Sequence, residues 1–306
     1  MILKSIGTTF LLLAAYSLYL HNSVADKKIE GQHQWQDNTI KAQDYLYANE
    51  VPDNIIIGSS LSCRIESELL PENFYNLSLG GQSVFDGLEI LTHQQIFPKR
   101  VFVEMNMVKR AGDPSFGKSL FNPILFFLRK EVVPMREKDQ PAVYALHSSI
   151  TFLGEKIYDP FTRRLVNPML NKLNFSKKED NNASVATDNF YDDLIKKQKT
   201  EFDMPFNEVA INDRFKELKA KIALLKKQGT EIVFFEMPLH PELENTIQMK
   251  EIRKLFLQNF PADSFVYLDK PVYADYTTTD GLHLGGDNAK KFTHFFIDDV
   301  TAKVSK

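Results

Sequence analysis

The run Asn54-Ile55-Ile56-Ile57-Gly58-Ser59-Ser60-Leu61-Ser62 decides how the fold is read. Its isoleucine-rich start, entered through the turn signal Pro52-Asp53, reads as a short strand buried in the middle of a parallel sheet. Gly58 lets the backbone turn sharply, and Ser59 and Ser60 then open an expected helix running to about Glu68. A serine at that place sits where open α/β sheets form a crevice, beside backbone N–H groups able to hold developing negative charge. Either serine could instead do no more than cap the helix. Taken alone, the run favours the cap.

The far end of the chain changes that balance. Thr279-Asp280-Gly281-Leu282-His283-Leu284 precedes an expected helix, so an Asp and a His three residues apart share a loop beyond the last strand. Such an Asp fixes the imidazole tautomer and stabilises its positive charge, leaving the other ring nitrogen to take a serine proton. An isolated Asp-x-x-His is more often a turn with a surface histidine. Together with a serine after the first strand, it forms a catalytic constellation. His240, in Met237-Pro238-Leu239-His240-Pro241 beyond the fourth strand, is the rival base; a lone histidine there is otherwise structural. None of the seven histidines falls into a metal-ligand spacing, so no metal is implied.

These blocks resemble those of the SGNH (GDSL-like) hydrolase superfamily. Gly58-Ser59-Ser60 stands where that family has Gly-Asp-Ser, which makes Ser60 the implied nucleophile and Ser59 the second candidate. Asp280 and His283 match the closing Asp-x-x-His block. Asn76-Leu77-Ser78-Leu79-Gly80-Gly81 fits the second block, Asn-x-x-x-x-Gly, and implies that the Gly81 N–H serves an oxyanion hole. The third block, Gly-x-Asn-Asp after a strand, is matched only by Asn106, without the glycine and the following Asp. The resemblance implies Asn106 as a further oxyanion donor.

The Gly-Ser-Ser variant behind an apolar N-terminal segment is similar to a membrane-anchored subset of this superfamily. That subset includes D-alanyl-lipoteichoic-acid transfer proteins and SGNH-like partners of membrane-bound O-acyltransferases. The resemblance covers short blocks between residues 54 and 286 and leaves out the middle of the chain. It implies a three-layer α/β/α, flavodoxin-like parallel sheet, the SGNH hydrolase fold, working without a cofactor.

At 306 residues the chain can bury a sizeable single core. A net charge of −3, with both signs interspersed, gives no sign of nucleic-acid binding. Cys63 is the only cysteine, which excludes a disulfide framework; one helical turn beyond Ser59, it reads as a packing residue. Residues 1–25 hold an almost wholly apolar stretch, Ile6 to Leu20, preceded by Lys4. Its length lies between a signal-peptide core and a membrane span. Ser23-Val24-Ala25 suits signal cleavage, while Tyr16 and Tyr19 resemble an interfacial aromatic belt and favour an uncleaved anchor. Either outcome puts the globular part outside the cytoplasm.

Residues 26–50 read as a polar stalk followed by a covering helix over Trp35–Asn49, and 51–306 as the hydrolase-like domain. Further strands are expected at Phe74–Leu79, Arg100–Met105, Glu231–Glu236 and Phe265–Leu268. Helices are expected at Ser83–Gln95, Glu208–Lys227, Pro241–Asn259 and Ala289–Ala302. Their alternation implies a parallel sheet with helices on both faces, ordered 2-1-3-4-5.

A helical insertion at about 110 to 205 interrupts this pattern. Within it, Ser119–Leu128 is either a core helix or an amphipathic lid on a membrane or over an acyl site, and Phe175–Asn189 reads as a polar loop.

The expected activity is that of an extracytoplasmic serine-dependent esterase or acyltransferase. Its expected substrates are small acyl esters of a cell-envelope glycan, with a membrane-bound O-acyltransferase as a possible partner. Two alternatives stand beside it: a non-catalytic scaffold that binds glycan or that acyltransferase, and a lysophospholipase-type lipid esterase.

Overall fold

The computed structural model describes residues 2–22, 33–94, 96–140 and 188–304. Strands β1 (Asn54–Ile57), β2 (Phe74–Asn76), β3 (Arg100–Glu104), β4 (Glu231–Phe235) and β5 (Val266–Tyr267) form one sheet. The α-helices among the described residues are α1 (Ile2–Asn22), α2 (Gln34–Leu46), α3 (Val84–Thr92), α4 (Pro114–Leu120), α5 (Pro123–Glu131), α6 (Asp188–Phe202), α7 (Glu208–Lys227), α8 (Ile247–Asn259) and α9 (Gly286–Val304). By internal contacts the chain divides into two compact units, Met1–Tyr47 with Lys118–Lys178 and Ala48–Gly117 with Glu179–Lys306. The expected insertion is thus divided between them, its stretch from Lys118 grouping with the N-terminal residues.

The larger unit holds the sheet. All its strand pairs are parallel, in the order β2-β1-β3-β4-β5. Ile55, Ile56 and Ile57 are fully buried, as a central strand requires. Neighbouring residues in a strand face opposite sides, and the aromatic contacts follow that rule. Phe102 and Phe235 meet Phe296 of α9, each pair of ring centroids 5.3 Å apart. Phe234 turns the other way and meets Phe256 of α8 at 5.1 Å, and Phe215 of α7 packs on the same Phe256 at 5.1 Å. Gly87 of α3 lies against Ile57 on that side too. Helices therefore cover both faces, an α/β architecture with every polar strand end collected at two edges. The carboxyl-terminal edge gathers the residues singled out above.

Three expected helices differ. No α-helix follows Ser60; the chain makes a 3-10 turn at Ser62–Arg64. The stretch Pro241–Asn259 begins with a 3-10 turn at Pro241–Leu243, and α8 starts only at Ile247. Ser119–Leu128 is broken between α4 and α5, because the Asn122 side chain caps a new helix at the Leu125 N–H and Pro123 occupies its first turn.

In the smaller unit, α2 buries Ile40, Ala42, Tyr45 and Leu46. Phe126 of α5 packs against Tyr47 at 5.6 Å, and Lys138 pairs with Asp44 at 2.6 Å. Tyr16 of α1 donates to the Asp139 carbonyl at 3.1 Å. No side chain of α5 is buried, so α5 is not a core helix. Among the described residues no helix is long and apolar enough to cross a membrane; side chains of α1 are described from Lys4 to Leu20. The cleavage-like Ser23-Val24-Ala25 and most of the expected polar loop, as far as residue 187, lie outside the described residues, and Asp188 and Asn189 begin α6.

Candidate active site

β1 delivers Gly58 and three serines to the carboxyl edge of the sheet. Gly58 must be glycine: a Cβ there would lie 2.2 Å from Ser62 Oγ and 2.5 Å from Glu104 Oε2. That close approach lets the buried Glu104 carboxylate, at the end of β3, gather the whole turn. It accepts from Ser59 N–H at 2.8 Å, Ser59 Oγ at 2.9 and 3.0 Å, Ser62 N–H at 3.3 Å and Ser62 Oγ at 2.6 Å. Asn76, at the end of β2, holds the turn from its other side. Its amide donates to the carbonyls of Ser62 at 2.9 Å and Ile65 at 3.0 Å. Ser59 is therefore buried and fully engaged, whereas Ser60 is half-buried and faces a different partner.

That partner is His283. Its Nε2 lies 2.8 Å from Ser60 Oγ, and its Nδ1 lies 2.7 Å from Asp280 Oδ2. A carboxylate can only accept, so Nδ1 carries the ring proton and Nε2 is left to accept from the Ser60 hydroxyl. Asp280 also accepts the backbone N–H groups of Leu282 at 3.0 Å and His283 at 2.8 Å through Oδ1. Burial by itself would raise the Asp280 pKa, but the hydrogen bonds from the His283 ring and these N–H groups lower it to about 2. The three side chains form one unbroken relay.

The loop carrying Asp280 and His283 is held from two directions. Gln198 of α6 donates to the Asp280 carbonyl at 2.6 Å, and Tyr191 of α6 bonds Thr278 Oγ1 at 2.9 Å. From beyond β4, the His240 N–H donates to the Gly281 carbonyl at 2.9 Å. The His240 ring caps the following turn, its Nδ1 accepting the Glu242 N–H at 3.3 Å, and packs edge-on to Tyr191. His240 thus supports the loop through its backbone, while the imidazole against Ser60 is that of His283.

The second block runs alongside the turn. Leu77 N–H donates to the Ile56 carbonyl at 2.8 Å and Leu79 N–H to the Gly58 carbonyl at 3.1 Å, extending the β1–β2 ladder past Asn76. Gly81 then takes φ 69°, a left-handed conformation suited to glycine. Among the described residues, the N–H groups of Ser60 and Gly81 donate to no other protein group. Those of Ser59 and Ser62 are engaged by Glu104.

Asn106 is buried, and its carboxamide makes a two-way pair with the Met237 peptide. It donates to the Met237 carbonyl at 2.9 Å and accepts its N–H at 2.7 Å. The oxyanion role that the resemblance implies would fall to the second amide hydrogen, since the first is engaged. Met237 lies beyond the end of β4, and the pair ties the ends of β3 and β4 together.

Glu104 is the residue that sequence reasoning passed over. The available signal was an acidic residue closing the apolar run Val101-Phe102-Val103. Cys63 is half-buried, with its thiol 3.1 Å from the Ser78 carbonyl.

Among the described residues no group of His, Cys, Asp and Glu is arranged to hold a metal ion. A hollow of about 280 Å³ beside Lys226, Glu231 and Phe265 opens at the amino-terminal edge of β4 and β5, away from the relay. No protein-family model, curated protein or solved structure matches the chain.

Proposed function

We propose that the protein is a serine-dependent acyl-ester hydrolase or acyltransferase of the SGNH type. Its site works outside the cytoplasm, and it is attached to the membrane through its N-terminal segment. The observation that carries this reading is the Asp280–His283–Ser60 relay, with both contacts at hydrogen-bond length and Nε2 left as the acceptor.

In the first step Ser60 Oγ attacks the ester carbonyl carbon while its proton passes to His283 Nε2. The charge on the carbonyl oxygen is met by the N–H groups of Ser60 and Gly81, each such donor contributing about 3–4 kcal/mol to the transition state. Collapse of the tetrahedral intermediate breaks the ester C–O bond, and His283 returns its proton to the leaving alkoxide. The second step runs the same path in reverse: His283 takes a proton from water, or from a sugar hydroxyl, as that oxygen attacks the acyl-serine. Water makes the protein an esterase; a glycan hydroxyl makes it a transferase. The resemblance to the membrane-anchored subset is what supports small acyl groups on a cell-envelope polysaccharide as the substrate, handled alone or in company with a membrane-bound O-acyltransferase.

The test is labelling of the full chain with a fluorophosphonate. Label should attach to Ser60, persist in Ser59→Ala, and vanish in Ser60→Ala together with a loss of short-chain ester turnover of roughly a thousandfold or more. Wild-type labelling that Ser60→Ala leaves unchanged would overturn the assignment. Absence of label and turnover in the wild type would favour a scaffold binding glycan or an acyltransferase, a reading to which the engagement of Asn106 by Met237 lends support.

A further inference from the structure

α1 and α5 leave apolar surface uncovered in a pattern that a protein groove cannot match. Phe10, Leu11 and Leu12 are consecutive in α1 and are exposed over 71%, 70% and 67% of their surface. Successive residues on a helix point about 100° apart, so these three face widely separated directions. A partner groove covers one side of a helix; a surrounding apolar solvent covers all of them.

α5 has a sided version of the same feature. Its Phe126 packs inward on Tyr47, while Ile124 and Phe127 are 73% and 62% exposed. Val133 and Met135, in the turn that follows and packs on α5, continue the exposed apolar surface. Lys130 stands exposed in the last turn of α5 with Glu131 beside it, while Arg129 donates to the Ser119 carbonyl and Arg136 donates to the carbonyls of Arg129 and Lys130 and lies over the Tyr47 ring. The same segment holds α1: residues 133–135 pack against it, and Tyr16 donates to the Asp139 carbonyl. The apolar residues of α5 are therefore carried beside α1, with the exposed Lys130 at their edge.

We infer that α5 and residues 133–135 form a lipid-contacting face. Ile124, Phe127, Val133 and Met135 enter the boundary between headgroups and acyl chains beside α1, and the exposed Lys130 meets anionic headgroups. An apolar face on one side of a helix with a lysine at its edge suits a helix lying in a membrane interface. The occupant is the bilayer surface itself. This inference rests on the membrane attachment proposed above and is independent of the serine chemistry.

The experiment uses the full chain with Cys63→Ser, carrying either Leu11→Cys or Phe127→Cys labelled with a nitrobenzoxadiazole fluorophore. Each protein is reconstituted in vesicles of phosphatidylcholine and phosphatidylglycerol with brominated acyl chains, after thermal unfolding has shown it to be folded. Both probes should be quenched by about twofold or more relative to unbrominated vesicles, as burial among acyl chains requires. Quenching at position 11 without quenching at 127 overturns the inference and leaves a protein partner as the occupant of α5. Absence of quenching at both positions overturns the membrane attachment along with it.

Discussion

The two halves of the relay are built differently. The serine turn is fixed from below by side chains of the neighbouring strands, Glu104 on one flank and Asn76 on the other, and both are buried. The histidine loop is fixed mainly by its own turn. Asp280 accepts two N–H groups within three residues of itself, Thr279 N–H donates to the His283 carbonyl at 2.8 Å, and outside support comes through the carbonyls of Asp280 and Gly281 and the Thr278 hydroxyl. The serine is thus placed by the sheet, and the histidine by a local sequence motif. Substitutions under the serine should propagate into the fold, whereas substitutions in the loop should stay local.

The largest expected effect is at Glu104. Glu104→Ala would leave the N–H groups of Ser59 and Ser62 buried and unsatisfied. It should cost about 3 kcal/mol or more in an equilibrium denaturant titration, since each such group carries a penalty of about 1–3 kcal/mol. Glu104→Gln keeps the shape but turns an amide toward a site surrounded by donors. It should fold at a smaller cost and still slow fluorophosphonate labelling of Ser60 by roughly tenfold or more, through loss of alignment. A Glu104→Gln protein labelled at the wild-type rate would break the contrast between the two halves.

This contrast also explains what could be read from the sequence. The run Asn54–Ile57 reads as a strand from its isoleucines, and Glu208–Lys227 reads as a helix from Phe215, Leu218, Ile222 and Leu225, because short-range periodicity is enough for each. Asp280 and His283 are legible for the same reason: the motif contains its own contacts. The helix expected after Ser59 was not. Asn76 takes the Ser62 carbonyl, and Thr293 takes the N–H of Glu66 from 227 residues away, the two groups that an α-helix would pair with each other; Asn76 also takes the Ile65 carbonyl. Backbone groups satisfied by distant side chains need no helix to pair them, and no local pattern announces such partners. Asn106 is the same lesson at the next strand end, since its partner Met237 lies 131 residues on.

Asn106 gives the intermediate effect. Asn106→Ala removes both hydrogen bonds to the Met237 peptide and leaves a buried N–H and carbonyl without partners. It should lower stability by about 2–3 kcal/mol in a denaturant titration. The kcat of the folded fraction on a short-chain ester should stay within about threefold of wild type, because the oxyanion is met by Ser60 and Gly81 in this mechanism. A fall of a hundredfold or more in kcat, at unchanged KM, would instead make Asn106 an oxyanion donor through its second amide hydrogen.

The smallest effect is in the loop, and pH isolates it. Asp280 is held at a pKa of about 2, against an ordinary value of 3.8. A carboxyl whose folded pKa lies below its unfolded one adds stability above the unfolded value and loses it as pH falls through the folded value. The Asp280 contribution should therefore be complete above about pH 4 and vanish near pH 2. Its side chain is 36% exposed, so solvent screening keeps this contribution modest. Denaturant midpoints measured between pH 5 and pH 2 should fall more steeply for the wild type than for Asp280→Asn, the two curves converging at the acid end. Parallel curves would mean that the loop holds His283 without help from the carboxylate charge. Because Asp280 acts within its own turn, the same substitution should leave amide exchange across Gly58–Ile65 unchanged, whereas Glu104→Gln should accelerate it. Faster exchange there in Asp280→Asn would show the serine turn leaning on the loop, and the two halves would no longer be independent.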